Sequence, residues 1–328
     1  MSTETADQAP AISDLPSGDP IKPPAPAAEA TSQASPQPPA ARKKPSALSL
    51  SSVDAFAAHL ARCFETPSGI DAVLCFVCYT SRFSASALEA LTATALRRSA
   101  RRLVALAFSL PPDATILLSR PPAPSPLAAS SLRLAGHLRA LATLLSEART
   151  ITRLWALLPM YLWLRRLMKT RSPSGGKTDA EKQKNSDAAV DRAISWFQVV
   201  ACILLQSLES ASYLASKGVL PLSPARQGLA AKWSVRFWSC YVGSELGRLL
   251  VERLRRRRQL RQGEVDAASE EHAAWEDLWG RTLARQASWF PLTVHWSMDK
   301  GFVPEMGIGL LGSIPGIVQM RQLWKETA

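Results

Sequence analysis

From Ser51 onward the chain repeats its apolar residues at intervals of three and four, and nowhere alternates them convincingly at a period of two. That pattern makes helices with one apolar stripe each. Such stripes are buried by packing helix on helix, or by lipid. Composition agrees: the chain is 47% hydrophobic but only 7% aromatic. Ala and Leu, both strong helix formers, recur throughout, and β-branched residues are sparse.

Pro and Gly divide the chain. A first helix is expected at 52–63. Thr66 and Pro67 then supply an N-cap and a Pro at the first helical position. A second helix runs to about Phe83, and a third covers 86–110 and stops at Pro111-Pro112. Residues 121–126 read as a linker, and 127–168 as one long helix bent at Pro159. The polar stretch 171–187 contains Gly175 and Gly176 and reads as an exposed loop. Helices resume at 187–217, 225–262 and 265–288, before an apolar end punctuated by Pro and Gly. Ahead of all this, residues 1–46 hold ten of the 24 prolines. This front cannot bury enough apolar surface to offset ordering, and reads as a disordered tail. The organisation is thus a tail at 1–46 and one helical domain at 47–325.

Two segments are amphipathic. On a helix covering 132–155, Leu134, Leu138, Leu141, Leu145, Ile151 and Trp155 share an arc, on which Arg133, His137 and Thr152 intrude, and Arg139, Arg149 and Arg153 share the other. At 86–110, Leu88, Leu91, Ala95, Leu103 and Leu106 oppose Arg97, Arg98 and Arg101. Both stripes suit the core of a soluble bundle. Equally, either helix could lie in a membrane interface, its leucines among the acyl chains and its arginines on anionic phospholipid.

Three segments are apolar enough to compare with a bilayer span, which needs about 20 residues. Residues 154–164 are too few. Residues 194–208 carry Gln198 and Gln206 and read as a buried or partly inserted helix. Residues 302–320 fit best, with Arg321, Trp324 and Lys325 beyond as interface anchors. Gly307, Gly309, Gly312 and Gly316 fall inside that segment. Gly312 and Gly316 form a GxxxG pair that would let two copies approach in lipid, so a homo-oligomer is expected. The fold class that follows is an all-α, membrane-associated helical bundle with amphipathic helices and a C-terminal membrane-inserted segment.

The net charge of +12 points to nucleic acid or to an anionic membrane face. Arg253, Arg255, Arg256, Arg257, Arg258 and Arg261 concentrate it. No zinc-finger, helix-turn-helix or RNA-binding signature accompanies that run, so nucleic acid is not expected as a partner. A solvated face, lipid headgroups or a membrane-protein import receptor remain. Cys63, Cys75, Cys78, Cys202 and Cys240 sit in apolar or amphipathic segments and read as reduced, buried thiols. Cys75 and Cys78 lack the second pair or the histidine that a zinc site needs. His59, His137, His272 and His295 match no metal spacing. No phosphate loop or nucleophile elbow is present. No enzyme, metal or cofactor is expected.

Several blocks, in order, resemble the peroxin-11 family. Gly69-Ile70-Asp71-Ala72-Val73-Leu74 with Tyr79 and Ser81-Arg82-Phe83 is similar to its opening block, with Ala72 where the family usually has a basic residue. Leu145-Ser146-Glu147-Ala148-Arg149, then Arg153-Leu154-Trp155, resembles its amphipathic block. Glu209 with Tyr213-Leu214-Ala215-Ser216-Lys217-Gly218 resembles its middle block. Pro291-Leu292-Thr293-Val294-His295-Trp296 and Gly309-Leu310-Leu311-Gly312-Ser313-Ile314, followed by Trp324, resemble its last two. The resemblance spans residues 51–324 and is closest to a divergent gamma or C-type branch. It implies a peroxisomal membrane protein that elongates the organelle before fission by inserting an amphipathic helix. It implies self-association, cooperation with a dynamin-related GTPase and its tail-anchored fission adaptor, and delivery by a peroxisomal membrane-protein import receptor. The C-terminal Lys-Glu-Thr-Ala is no matrix address, in keeping with a membrane location. A channel for small metabolites and a soluble helical scaffold are the alternative readings.

Overall fold

The computed structural model describes residues 50–109, 126–169 and 179–328. Among them are eight α-helices and no strand: α1 (Leu50–Cys63), α2 (Pro67–Ser109), α3 (Pro126–Thr152), α4 (Leu157–Lys169), α5 (Asp179–Ser216), α6 (Pro224–Arg261), α7 (Glu270–Ser297) and α8 (Glu305–Glu326). The all-α expectation is met. The 1–46 tail and all but the last residue of the 121–126 linker lie outside the described residues.

The helices close a ring. α2 packs on α3 and α8, α8 on α7, α7 on α6, α6 on α5, and α5 on α4, which continues α3 through a single 3-10 turn. Tyr79, Trp163, Leu205, Trp238, Trp289, Leu292 and Ile308 fill the centre. The Trp238 and Trp289 rings lie 5.3 Å apart, and Tyr79 meets Trp289 edge-on at 5.4 Å. α1 is fastened to the far end of the chain. His59 stacks on Trp324 at 3.7 Å, and the Arg62 Nε donates to the Thr327 carbonyl at 2.8 Å.

Local chemistry sets the helix ends. The Thr66 hydroxyl accepts the Gly69 N–H at 3.0 Å, with Pro67 at the first position of α2. Ser223 and Ser269 cap α6 and α7 in the same way. α5 and α6 end at Gly218 and Gly263, both at positive φ. There the Val219 N–H reaches back to the Leu214 carbonyl and the Glu264 N–H to that of Gln259.

Four boundaries differ from the sequence reading. The second and third predicted helices are one, α2, because no Pro or Gly interrupts residues 70–109. The long helix at 127–168 breaks at Arg153–Trp155. Pro159 cannot donate to the carbonyl four residues back, which is that of Trp155, so the break falls there and Pro159 sits in the first turn of α4. The exposed loop proposed for 171–187 ends sooner, since α5 already begins at Asp179; its first two turns are rich in Glu, Lys, Gln and Ala. α7 starts at Glu270 rather than at 265 and runs on to Ser297, through Pro291.

α8 covers most of the apolar segment 302–320. It lies along α2, and its glycines face that helix. A Cβ on Gly309 would stand 2.7 Å from the Phe83 Cα, one on Gly316 2.8 Å from the Phe76 Cα, and one on Gly312 would enter the Tyr79 ring. Gly312 and Gly316, predicted to join two copies, are therefore used within one chain. Close backbone approach is the physical need in both cases, and here α2 meets it.

This packing makes a stability prediction. Gly309→Ala and Gly316→Ala should each lower unfolding free energy by about 1–3 kcal/mol, because the obstructing atoms are backbone. Gly247→Ala has open space around it and should gain about 0.4–1 kcal/mol. Denaturant titration of the detergent-solubilised protein would measure all three. Parent-like unfolding of the α8 variants, with loss of a crosslinked dimer, would return these glycines to the role of a contact between copies.

Candidate membrane-contact surface and the ion pairs behind it

α3 turns Arg149 inward. Ala135, Ala142 and Arg149, seven residues apart, form its buried stripe against α2. The Arg149 side chain is 0% exposed, and its Nε donates to Asp71 Oδ1 on α2 at 2.8 Å and its Nη2 to Oδ2 at 3.2 Å. Arg153 is also buried, and donates to Glu209 on α5 at 2.6 Å. Arg139, half-exposed, binds Glu89 of α2 through two bonds of 2.9 and 2.6 Å and reaches Glu305 of α8 at 3.3 Å. Glu305 in turn takes two bonds from Arg82, at 2.5 and 3.1 Å. Glu147, two residues before Arg149, pairs with Lys217 and accepts the Tyr213 hydroxyl at 3.3 Å. Two of the three predicted basic-face arginines thus point into the protein, while Arg139 stays half-exposed. Arg149 and Arg153 lie in the protein interior on carboxylates, because a guanidinium without water needs a charged, hydrogen-bonded partner.

The outward side carries an apolar strip, beside which Arg133 and His137 are also exposed. Leu134, Leu141, Ile151 and Trp155 are exposed, Trp155 by 72%, while Leu138 and Leu145 are half-buried. Leu144, and then Leu158 and Leu162 on α4, extend the exposed strip. α5 is similar: Phe197, Val200 and Leu204 are exposed, whereas Gln198 and Gln206 point in. The Gln198 amide donates to Glu245 of α6 at 2.8 Å, and Arg248 closes on the same carboxylate at 2.6 Å. Here ionisable side chains are paired inside, and leucines lie outside. Among the described residues the helix long and apolar enough to cross a bilayer, by length and composition, is Asp187–Ser216, with mean hydropathy 1.6 and 28% of its apolar window buried. The sequence reading preferred 302–320, where four glycines dilute the hydropathy.

Cys63, Cys75, Cys78 and Cys202 are buried as expected, but Cys240 is exposed on α6. Cys78 donates to the Ala142 carbonyl at 3.3 Å, and burial pushes its thiol above the ordinary range. Among the described residues no three His, Cys, Asp or Glu side chains gather as a metal site. The His295 Nδ1 accepts the Val303 N–H at 2.8 Å and shapes the turn before α8. In the arginine run, Arg253 pairs with Glu276 at 2.8 Å and Arg255 with Asp191 at 2.8 Å. The guanidinium of Arg253 holds the Glu276 carboxyl below its usual range.

Sequence reasoning found the arginines of α3 but missed their partners. Asp71, Glu209, Glu89 and Glu305 are each isolated carboxylates in small or apolar surroundings, and that isolation was the available signal. The structure also brings together the sequence blocks singled out above. Asp71 of the first meets Arg149 of the second, Arg153 of the second meets Glu209 of the third, and Tyr79 of the first underlies Gly312 of the last. Compared with known proteins, the chain matches no family model, no curated protein and no solved structure.

Two predictions follow from the pairs. Arg149→Met should cost about 3–5 kcal/mol by stranding the Asp71 charge, and adding Asp71→Leu should recover most of it. Denaturant unfolding of the single and double variants measures this, and an equal loss in both would deny the pairing. The second concerns pH. The Arg139 hydrogen bond holds the Glu89 carboxyl below its ordinary value. The clamp then contributes its full stability above that ordinary value and loses it as pH falls through the lowered one. The thermal midpoint of Glu89→Gln should therefore drop less than that of the parent below about pH 5. Parallel curves would show that the clamp does not form.

Proposed function

We propose that this protein is embedded in the peroxisomal membrane and reshapes it, elongating the organelle ahead of fission as the resemblance to the peroxin-11 family implies. The observation that carries the reading is the inverted polarity of α3: Leu134, Leu141, Ile151 and Trp155 outward, Arg149 and Arg153 inward on Asp71 and Glu209. In water such an exterior would favour aggregation. In a leaflet it is the favourable orientation, and each buried pair avoids the cost of a lone charge in hydrocarbon. On this reading Asp187–Ser216 anchors the chain and the α3–α4 strip lies among the acyl chains. The partners proposed are anionic phospholipid, further copies of the chain, and the dynamin-related GTPase with its tail-anchored adaptor. A soluble scaffold leaves the exposed leucines without a role.

A tagged copy should decorate peroxisomes and stay in the membrane pellet through carbonate extraction. Diffuse or carbonate-soluble protein would end this reading. The strip itself is tested by Leu141→Asp with Ile151→Asp. Both side chains are exposed, so the variant should fold and accumulate at the parent level. Peroxisomes should nevertheless stay round, because an aspartate costs several kcal/mol to place in an apolar layer. Normal tubules at normal abundance would exclude the strip from remodelling.

A further inference from the structure

α6 has two distinct faces. At about 100° per residue, Val235, Trp238, Tyr241, Val242, Glu245 and Leu249 fall on one arc and are buried. Cys240, Gly247, Leu250, Leu254, Arg257, Arg258 and Arg261 fall on the opposite arc and are exposed. From Phe237 to Leu254 the outer arc carries no charge over roughly 26 Å, close to the hydrocarbon thickness of about 30 Å. Before this run the Arg236 guanidinium lies over the Trp233 ring at 4.9 Å. After it come Arg257, Arg258 and Arg261, so the apolar run has cations at both ends.

The neighbouring helix is in register with that run. α5 and α6 are antiparallel, with Asp191 at Arg255, Gln198 at Glu245 and Ser212 at Gln227. The exposed Phe197, Val200 and Leu204 of α5 therefore sit at the level of the uncharged α6 run, and the two helices share one apolar belt. At the end of this belt the arginines divide. Arg253 and Arg255 are held by Glu276 and Asp191. Arg257, Arg258 and Arg261 make no ion pair among the described residues, and neither Glu264 and Asp266 of the following turn nor Glu270 and Glu271 at the start of α7 pairs with them. Like charges crowded on one helix face repel, and an external anion relieves that repulsion.

We infer that Arg257, Arg258 and Arg261 form a binding surface for the phosphate headgroups of anionic phospholipid, placed at one face of the membrane by the α5–α6 belt. The inference rests on the membrane reading above. The belt sets depth by hydrophobic match, and long arginine side chains at its edge reach the headgroup layer.

The test uses the full chain diluted from detergent into preformed vesicles and recovered by flotation. Vesicles of phosphatidylcholine alone are compared with vesicles that also contain phosphatidylserine. The parent should float with both and prefer the second by about 100-fold at low salt, at roughly tenfold for each 1.4 kcal/mol and about 1 kcal/mol for each arginine. That preference should shrink as salt rises. Arg257→Gln, Arg258→Gln and Arg261→Gln together should remove the preference and keep flotation on phosphatidylcholine. A parent with no preference, or a triple variant that retains it, overturns the inference and leaves the membrane reading standing. Failure of the parent to float on either vesicle overturns that reading instead. Loss in the triple variant of binding to an RNA oligonucleotide, with the vesicle preference intact, would assign the surface to nucleic acid.

Discussion

Arg149 fixes how α3 can sit. Its side chain has no exposed surface and is held by both oxygens of Asp71. A buried guanidinium is tolerable only with such a partner, and removing either charge would strand the other. The pair therefore sets the rotation of α3 about its own axis and its register against α2. Arg153 lies four residues on, and Glu209 receives it on α5. With those two contacts made, the leucine stripe on the other side of α3 has nowhere to point but outward. The apolar exterior thus follows from the ionic interior.

The same logic extends round the ring. Arg139 holds Glu89 on α2 and Glu305 at the start of α8, and Arg82 holds Glu305 from α2. These charges join three helices at one end of the α2–α8 contact. Gly309, Gly312 and Gly316 let α8 approach until its backbone meets Phe83, Tyr79 and Phe76. Glycine costs helix stability in isolation, and the close approach recovers it as dispersion contacts. The aromatic centre then closes the ring, with Tyr79 from α2 against Trp289 from α7.

Helical content was legible in the sequence, because period and punctuation are local. Thr66-Pro67, Pro224 and the glycines at 218 and 263 marked real ends. The break at Pro159 was foreseen but displaced to Arg153–Trp155, since a proline acts on the carbonyl four residues back. The burial of Arg149 and Arg153 was not legible. An arc of leucines opposite an arc of arginines looks the same whichever side faces the protein, and only the partner carboxylates decide. Those partners stand 78 and 56 residues away, and no local pattern reveals pairing at such separations. Gly312 and Gly316 posed the same problem. Their spacing announces close approach, and whether the partner is α2 or a second chain is a tertiary fact.

The inversion changes how membrane shaping must work on the proposed reading. A solitary amphipathic helix folds as it binds, and its arginines supply the attraction to anionic lipid. Here Arg149 and Arg153 are already neutralised, and α3 is fixed to α2 and α5 before any lipid is met. The ordering cost of folding at the interface is therefore removed, which favours insertion. The electrostatic attraction of that helix is removed as well. Attraction must then come from cations elsewhere, and the outer end of α6 is one place where exposed arginines adjoin an apolar belt. A wedge of this kind is rigid. Its effect on curvature depends on the shape of the whole ring in the leaflet, so substitutions in the Asp71, Glu89, Glu209 or Glu305 contacts would alter remodelling through fold, without touching a lipid.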